Sequence, residues 1–238
     1  MQIKFITFGS HANYIEAGNR LLDQAEKANI FTETKLYTGD DLKNDNIFWE
    51  QHREFIENNI RGYGYWIWKP YLIKKTMETM NNGDVLLFLD CGCEIDYTNK
   101  GIFREFVDVV KHVKIIGTFM GNEREWNKMD LIEKLDMNND KYLDGSNKHQ
   151  RQSGAILFLV CERVRKMVNE WYELSCDYHN IDDTPSVIQN LDCFREHRHD
   201  QSVFSLLTKK YDMFFSYELT YDNFIYYNRN RYGISKIL

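Results

Sequence analysis

The chain has 238 residues, with 30 Lys and Arg against 36 Asp and Glu, and its formal net charge is −6. This acidic balance argues against a nucleic-acid-binding protein, because such proteins carry a basic surface. The low proline count of 2 excludes proline-rich linkers. No apolar run approaches the ~18 residues that a membrane-spanning helix needs, so we expect no such helix.

Five cysteines without a CxxC pair are typical of reduced thiols, and we therefore expect a cytoplasmic protein. A zinc site built on Cys91 and Cys93 is disfavoured, because one intervening residue is fewer than structural zinc pairs usually have. The absence of a linker or internal repeat favours one domain over residues 1–238.

Apolar periodicity predicts strands and helices in alternation along the chain. The predicted strands span residues 1–8, 34–38, 85–89, 113–119 and 154–160, and the predicted helices span 14–28, 48–60, 70–80, 103–110 and 164–174, with another beginning at Asp200. This alternation predicts an α/β fold with a mostly parallel central sheet flanked by helices. The polar stretch 137–151 is predicted to be a surface loop or a lid.

Ligands of open parallel sheets bind beyond the carboxyl ends of the strands, which directs attention to three segments. Thr7 and Phe8 end the first strand, and Asp90 directly follows the apolar strand 85–89. A carboxylate there can hold a hard cation or a ribose hydroxyl, although Asp is also common in turns. The third segment, 152–154, precedes a strand and so lies at the opposite edge unless the chain turns back.

Residues 62–70 place two Gly, two Tyr, two Trp and a Lys immediately before a helix. The free N–H groups of a helix start suit an anion, and we expect the ammonium group of Lys69 to need one such as a diphosphate. Trp66 and Trp68 are expected to be core aromatics, and a solvated Lys69 is the simpler alternative.

Residues 197–201 form a further polar concentration, His-Arg-His-Asp-Gln. Two His beside an Asp can supply a metal ligand, an acid or a base. The simpler interpretation is a helix capped by Asp200, with surface histidines before it.

The segments 64–70, 83–93 and 199–202 together resemble small glycosyltransferases of the GT-A fold, which occur in bacterial polysaccharide clusters and in large DNA viruses. The resemblance implies a Rossmann-like single domain that transfers a sugar from a nucleoside-diphosphate sugar to a glycan or another hydroxyl acceptor. It also implies an Asp-x-Asp motif that binds Mn²⁺ or Mg²⁺ and the diphosphate. Asp90 matches the first Asp, whereas Gly92 replaces the second, so the ion is held by Asp90 with a histidine such as His197, by water, or not at all.

The same resemblance implies a role for each site residue. Asp200 is expected to be catalytic, either as the base for the acceptor or as a brace for the sugar cation. The residues expected to bind the nucleotide-sugar are Thr7, Phe8, Trp68, Lys69, Asp90, Cys91 and Gly92. Those expected to bind the acceptor or the transferred sugar are Gln152, Ser153, Gly154 and His199.

Two other functions compete with this one. A sugar-1-phosphate nucleotidyltransferase usually has a glycine-rich loop after its first strand, and residues 9–12 contain a single Gly. A non-catalytic glycan-binding module would use the aromatic stretch 63–68 to stack on sugar rings.

Overall fold

The computed structural model describes residues 1–216 and 224–237. The strands are β1 Ile3–Gly9, β2 Glu33–Thr38, β3 Val85–Leu89, β4 Glu94–Ile95, β5 Ile115–Gly117, β6 Phe119–Asn122, β7 His149–Arg151, β8 Ala155–Leu159, β9 Phe215–Ser216 and β10 Ile225–Tyr226. The helices are α1 Ala12–Ala28, α2 Gly39–Lys43, α3 Asn46–Asn58, α4 Gly62–Tyr65, α5 Trp68–Glu78, α6 Lys100–Val113, α7 Glu123–Trp126, α8 Met129–Lys134, α9 Asp140–Leu143, α10 Glu162–Cys176 and α11 Asp200–Lys210.

Six of these strands form the central sheet, in the order β2-β1-β3-β8-β5-β9. The pairs β1–β2, β1–β3 and β5–β9 are parallel, whereas β8 is antiparallel to both β3 and β5. The predicted α/β fold with a mostly parallel sheet is therefore confirmed. The reversed direction of β8 is the feature that decides where the site residues meet.

The sheet separates two apolar layers, because alternate side chains of a strand point to opposite faces. Leu86 and Phe88 of β3 pack on the side of α5, α10 and α11, and Val85 and Leu87 pack on the side of α1 and α6. All five residues of β3 are buried. A strand covered on both faces reads as a continuous apolar run, which is why its bounds could be predicted without error.

Other expectations need correction. Helix α5 begins at Trp68, so Trp68 and Lys69 belong to its first turn. The stretch 137–151 is not a bare loop, because it contains α9 and β7 and is tied to α11 through hydrogen bonds from Lys209 to the carbonyls of Tyr142 and Asn147. Within the described ranges, no helix combines the length and apolarity that a bilayer crossing requires.

The C-terminal segment, residues 225–237, is held against the edge of the sheet by a buried ion pair. Arg20 of α1 lies 3.2 Å from Glu94, and both side chains are almost fully buried. Arg20 also donates to the carbonyls of Asn230 and Tyr232, and Glu94 accepts from Asn230, Ser235 and the Lys236 backbone. Burial opposes ionisation of Glu94, but these donors outweigh it and lower its pKa to about 2.

Candidate active site

The site lies at the carboxyl end of β3, where the chain leaves the sheet at Asp90. Leu89 is paired with Ala155, and the Asp90 amide donates to the Gly154 carbonyl over 2.7 Å. Because β8 runs antiparallel to β3, its amino end and the segment before it lie at the same edge as Asp90. The segment 152–154 therefore belongs to the site. The sequence had placed it at the opposite edge unless the chain turned back, and the antiparallel direction of β8 is that turn.

Lys69 joins three segments at this edge. Its Nζ lies 3.2 Å from Asp90 Oδ1, 3.3 Å from Asp200 Oδ2 and 3.3 Å from Ser153 Oγ. Lys69 as a whole is 2% exposed. Burial lowers the pKa of Lys69, but the charges of Asp200 and Asp90 outweigh this, so the net shift is upward and the ammonium group stays protonated.

This geometry corrects the expected role of Lys69. An ammonium group has three donors, and the three neighbours just described use all of them. The anions that compensate its charge are the two carboxylates and not a diphosphate. Lys69 therefore fixes the positions of the two carboxylates from the buried side of the site.

Asp200 is the first residue of α11 and lies deep in the site. Its side chain is 4% exposed, and its Oδ2 accepts from Ser153 Oγ over 2.8 Å. Burial raises its pKa to about 6, with a further contribution from the charge of Asp90, while Lys69 and Ser153 oppose the shift. It does not cap α11, and so little of it is exposed that direct contact with a reacting sugar does not fit this arrangement.

Asp90 is the more accessible carboxylate, with a side chain 27% exposed. Its Oδ1 faces Lys69, and its Oδ2 accepts from the Tyr227 hydroxyl over 3.4 Å. Gly154 makes room for this carboxylate: a Cβ there would lie 2.6 Å from Asp90 Oδ2 and 2.7 Å from the Tyr227 hydroxyl. Asp90 is thus the part-exposed carboxylate of this cluster, whereas Asp200 is buried.

Thr7 and Phe8 lie beside Asp90, because Ile6 is paired with Phe88 on the adjacent strands. Phe8 stacks on Trp68 with ring centroids 3.9 Å apart, and both rings are buried. Among the described residues, the buried hydroxyl of Thr7 has no hydrogen-bond partner. A buried polar group without a partner is rare in native proteins, so this hydroxyl is free for a ligand or a water.

Residues 62–66 form a left-handed turn, and their φ values are +60°, +55°, +80°, +50° and +62°. Gly64 is required, because a Cβ there would meet Ile56 at 2.6 Å. The turn stacks Tyr65 and Trp66 on the ring of His199, with centroids 5.1 and 5.2 Å apart.

His199 is therefore enclosed by aromatic rings and does not face an open crevice. Its Nδ1 donates to the Ile181 carbonyl. Its Nε2 is buried and, in the described part of the chain, has no hydrogen-bond partner. Burial lowers its pKa, so the ring is neutral at pH 7. The expected contact between His199 and an acceptor stays a prediction, which would use this free nitrogen.

His197 does not fit its predicted metal role. Its Nδ1 accepts from the Lys128 amide and its Nε2 donates to the Asn180 carbonyl, so neither nitrogen is available to an ion. The thiol of Cys91 is no substitute, because burial raises its pKa to about 12. Across residues 1–216 and 224–237, no three His, Cys, Asp or Glu side chains are grouped as a metal site would need. The residues at Asp90 therefore do not fit a divalent metal held by protein ligands.

Cys91, Gly92 and Gln152 connect the site to the C-terminal segment. The Cys91 carbonyl accepts from Arg20, and the Gly92 carbonyl accepts from the Asn230 amide. The Gln152 side chain interacts with the Tyr227 hydroxyl. The space beside Gly92, where a ligand was expected to approach, is occupied by the C-terminal segment.

Tyr227 and its neighbour Arg229 are the site residues that sequence reasoning missed. Nothing in the local sequence pattern marks either of them as a site residue. The C-terminal segment reaches the site because it packs on the buried pair of Arg20 and Glu94. That pairing joins residues distant in sequence, so a single sequence contains no signal for it.

No protein-family model matches the chain, and no curated protein matches it in sequence. In structure it is similar to mouse xyloside xylosyltransferase 1, apo form, at 12% identity over 91% of this chain and 85% of that chain, with a TM-score of 0.49. It is similar to the galactosyltransferase LgtC in complex with donor and acceptor sugar analogues, at 15% identity over 91% and 73%, TM-score 0.40. It is also similar to a putative glucose-1-phosphate thymidylyltransferase from Bacillus anthracis, at 8% identity over 94% and 88%, TM-score 0.41.

Glycosyltransferases of the GT-A fold are thus among the structural neighbours, as the sequence resemblance predicted. At identities this low the likeness concerns the fold alone.

Proposed function

We propose that the chain is a glycosyltransferase that moves a sugar from a nucleoside-diphosphate sugar to a hydroxyl acceptor. The observation that carries the proposal is the part-exposed Asp90 carboxylate at the end of an inner strand, paired with buried Lys69. Thr7 and Phe8 lie beside it on the neighbouring strand. This is the position at which open α/β sheets bind nucleotide ligands.

The charges of the cluster suit the chemistry of sugar transfer. Asp90 and Asp200 against Lys69 carry a net charge of about −1 when both acids are ionised. Cleavage of the glycosyl–phosphate bond makes the sugar ring positive, and a preorganised negative group lowers the energy of that state. We assign this role to the carboxylate of Asp90, and we assign to Asp200 and Ser153 the positioning of Lys69.

The acceptor must also lose a proton as its oxygen bonds to the sugar carbon. Asp90 is the more exposed of the two acids in the cluster, and we assign to it the uptake of that proton. The leaving diphosphate takes the electron pair of the broken bond. Whether the configuration at the sugar is inverted or retained follows from the side of the ring on which the acceptor binds.

A non-catalytic glycan-binding module receives no support from the aromatic stretch 63–68. Trp68 is 5% exposed and packed on Phe8. One side of the Trp66 ring faces His199, and Gly62 packs against the ring so closely that a Cβ there would approach it to 2.4 Å. Trp68 is therefore closed to a sugar and Trp66 is covered in part, whereas Tyr63 and Tyr65 stay half-buried, so the stretch favours packing over sugar binding.

A thermal-shift panel of UDP, GDP, ADP, CDP and dTDP, followed by transfer assays with the matching sugar nucleotides, tests the proposal. We expect at least one diphosphate to raise the melting temperature. The variant Asp90→Asn should lower transfer by about 100-fold or more with the fold retained, since it removes a charge that acts on the reacting centre.

The matched control is Asp108→Asn, because Asp108 is an exposed helix residue whose side chain is 75% accessible. Its transfer rate should equal that of the wild type. Wild-type transfer by Asp90→Asn, or no diphosphate that binds, would refute the proposal. The single domain over 1–238, the cytoplasmic location and a role in polysaccharide synthesis stay predictions of the sequence.

A further inference from the structure

We infer that Arg229 of the C-terminal segment supplies the positive charge that holds the donor diphosphate, in place of a divalent metal ion. This inference rests on the proposed function. The cluster of Asp90, Asp200 and Lys69 is net negative. A diphosphate bound beside it would be repelled and therefore needs a cation. Lys69 cannot serve, since its three donors are all engaged and it is buried.

The protein backbone occupies the place where a second metal-binding carboxylate would begin. A Cβ at Gly92 would lie 3.3 Å from the Cα of Arg229 and 3.6 Å from the Asn230 nitrogen. The Asn230 amide donates to the Gly92 carbonyl over 2.8 Å. A side chain at position 92 would therefore press on the backbone of the C-terminal segment, and the residue that it would press on is Arg229.

The backbone after Arg229 is held in place by buried contacts of Asn230. Next to it, the Asn230 side chain donates to Glu94 over 2.9 Å, and the Asn230 carbonyl accepts from Arg20 over 3.1 Å. These three groups are buried. Arg229 itself has a φ of +52°, which an unconstrained arginine rarely adopts. A cation carried on such a constrained backbone is preorganised, which reduces the entropy cost of binding an anion.

The guanidinium group of Arg229 has no protein anion in the described part of the chain, and the residue is exposed. Its charge nevertheless acts on the site. Burial raises the pKa of Tyr227, and the positive charge of Arg229 opposes that rise. The backbone of Arg229 lies against Gly92, two residues after Asp90, so its side chain starts at the end of the strand where Asp90 lies. A guanidinium group matches phosphate oxygens in geometry as well as in charge.

The test measures binding of the diphosphate that stabilises the wild-type protein most, by calorimetry, in EDTA and in Mn²⁺. We expect the same affinity in both, and a loss of about 10-fold or more for Arg229→Gln, because charge-assisted bonds to phosphate are strong. Arg229→Lys should recover part of the loss. Lys236→Gln is the matched control, because Lys236 is an exposed cation of the same segment whose tie to Glu94 uses its backbone amide.

Each outcome decides a separate point. Binding that disappears in EDTA and returns with Mn²⁺ overturns the inference and leaves the proposed function standing. Equal affinities for Arg229→Gln and Lys236→Gln also overturn it. If no diphosphate binds the wild type in either buffer, the proposed function fails, and this inference fails with it.

Discussion

Close contacts at single residues set the position of the reacting groups. Gly154 allows Asp90 and Tyr227 to meet over it, and Gly64 allows the left-handed turn to pack on Ile56. The three non-glycine residues of that turn each bear a conformational cost of about 1–2 kcal/mol. Backbone strain of this kind persists where the surrounding structure holds it, and here it lies against a residue adjacent to Asp200.

The substitution Gly154→Ala tests whether this close packing matters for function. The added methyl group would force the Asp90 carboxylate and the Tyr227 ring to move, and overpacking of this kind costs about 1–3 kcal/mol. We expect a large loss of transfer, with a smaller loss of stability in denaturant unfolding. Gly101→Ala is the control, because a Cβ there has no neighbour within 4 Å. Unchanged transfer by Gly154→Ala would mean that Asp90 need not be held in this position.

Sequence reasoning located Asp90 correctly at a strand end, since an apolar run followed by Asp-Cys-Gly indicates one. It misjudged Lys69 and Asp200, because the burial of a charged side chain depends on partners that are distant in sequence. Lys69 reads as a solvated or ligand-binding cation until Asp90, Ser153 and Asp200 are seen around it. The enclosure of His199 by Tyr65 and Trp66 is hidden for the same reason.

The direction of one element, β8, decides which segments form the site. An apolar strand has the same pattern in a parallel and an antiparallel sheet, so the sequence could predict β8 and not its direction. The helices were easier, because α10 and α11 present apolar residues at helical spacing. The apolar residues of the C-terminal segment have neither helical nor strand spacing, so its path could not be predicted.

The ion pair between Arg20 and Glu94 is the structural anchor of that segment. We expect Arg20→Met to lower the free energy of unfolding by about 3 kcal/mol, because it leaves a buried carboxylate without its cation. Trypsin should then cleave after Arg229 and Arg231 faster than in the wild type, as followed by mass spectrometry. Lys27→Met, at the exposed end of the same helix, should leave the cleavage rate unchanged. Equal rates for Arg20→Met and the wild type would show that the other contacts suffice.

At the scale of the whole molecule, buried titratable groups link stability to pH in two directions. Burial lowers the pKa of His52 to about 4 and that of His197 to about 3. Below pH 6.5 these histidines bind protons in the unfolded chain but stay neutral in the folded one. The free energy of unfolding therefore decreases as the pH falls. Asp200 has the opposite effect, because its raised pKa makes the folded state bind a proton more readily between about pH 4 and 6.

The contribution of His52 can be isolated with His52→Gln, since Gln carries no titratable group. Between pH 6.5 and pH 4 the wild type should lose about 3 kcal/mol more of its unfolding free energy than the variant does, at about 1.4 kcal/mol for each unit of pKa difference. Urea unfolding at a series of pH values measures this. Parallel curves for the two proteins would mean that His52 titrates normally in the folded state.

The burial of Lys69 also constrains how the protein can be made. Its codon is translated before those of Asp90, Ser153 and Asp200, so the nascent chain exposes this lysine long before its partners have left the ribosome. Lys69 can pair with Asp90 early, but the second carboxylate that compensates its burial is present only once α11 has been synthesised. Fragments ending before α11 should therefore depend on chaperones for solubility, and the last third of the chain completes the fold as well as the site.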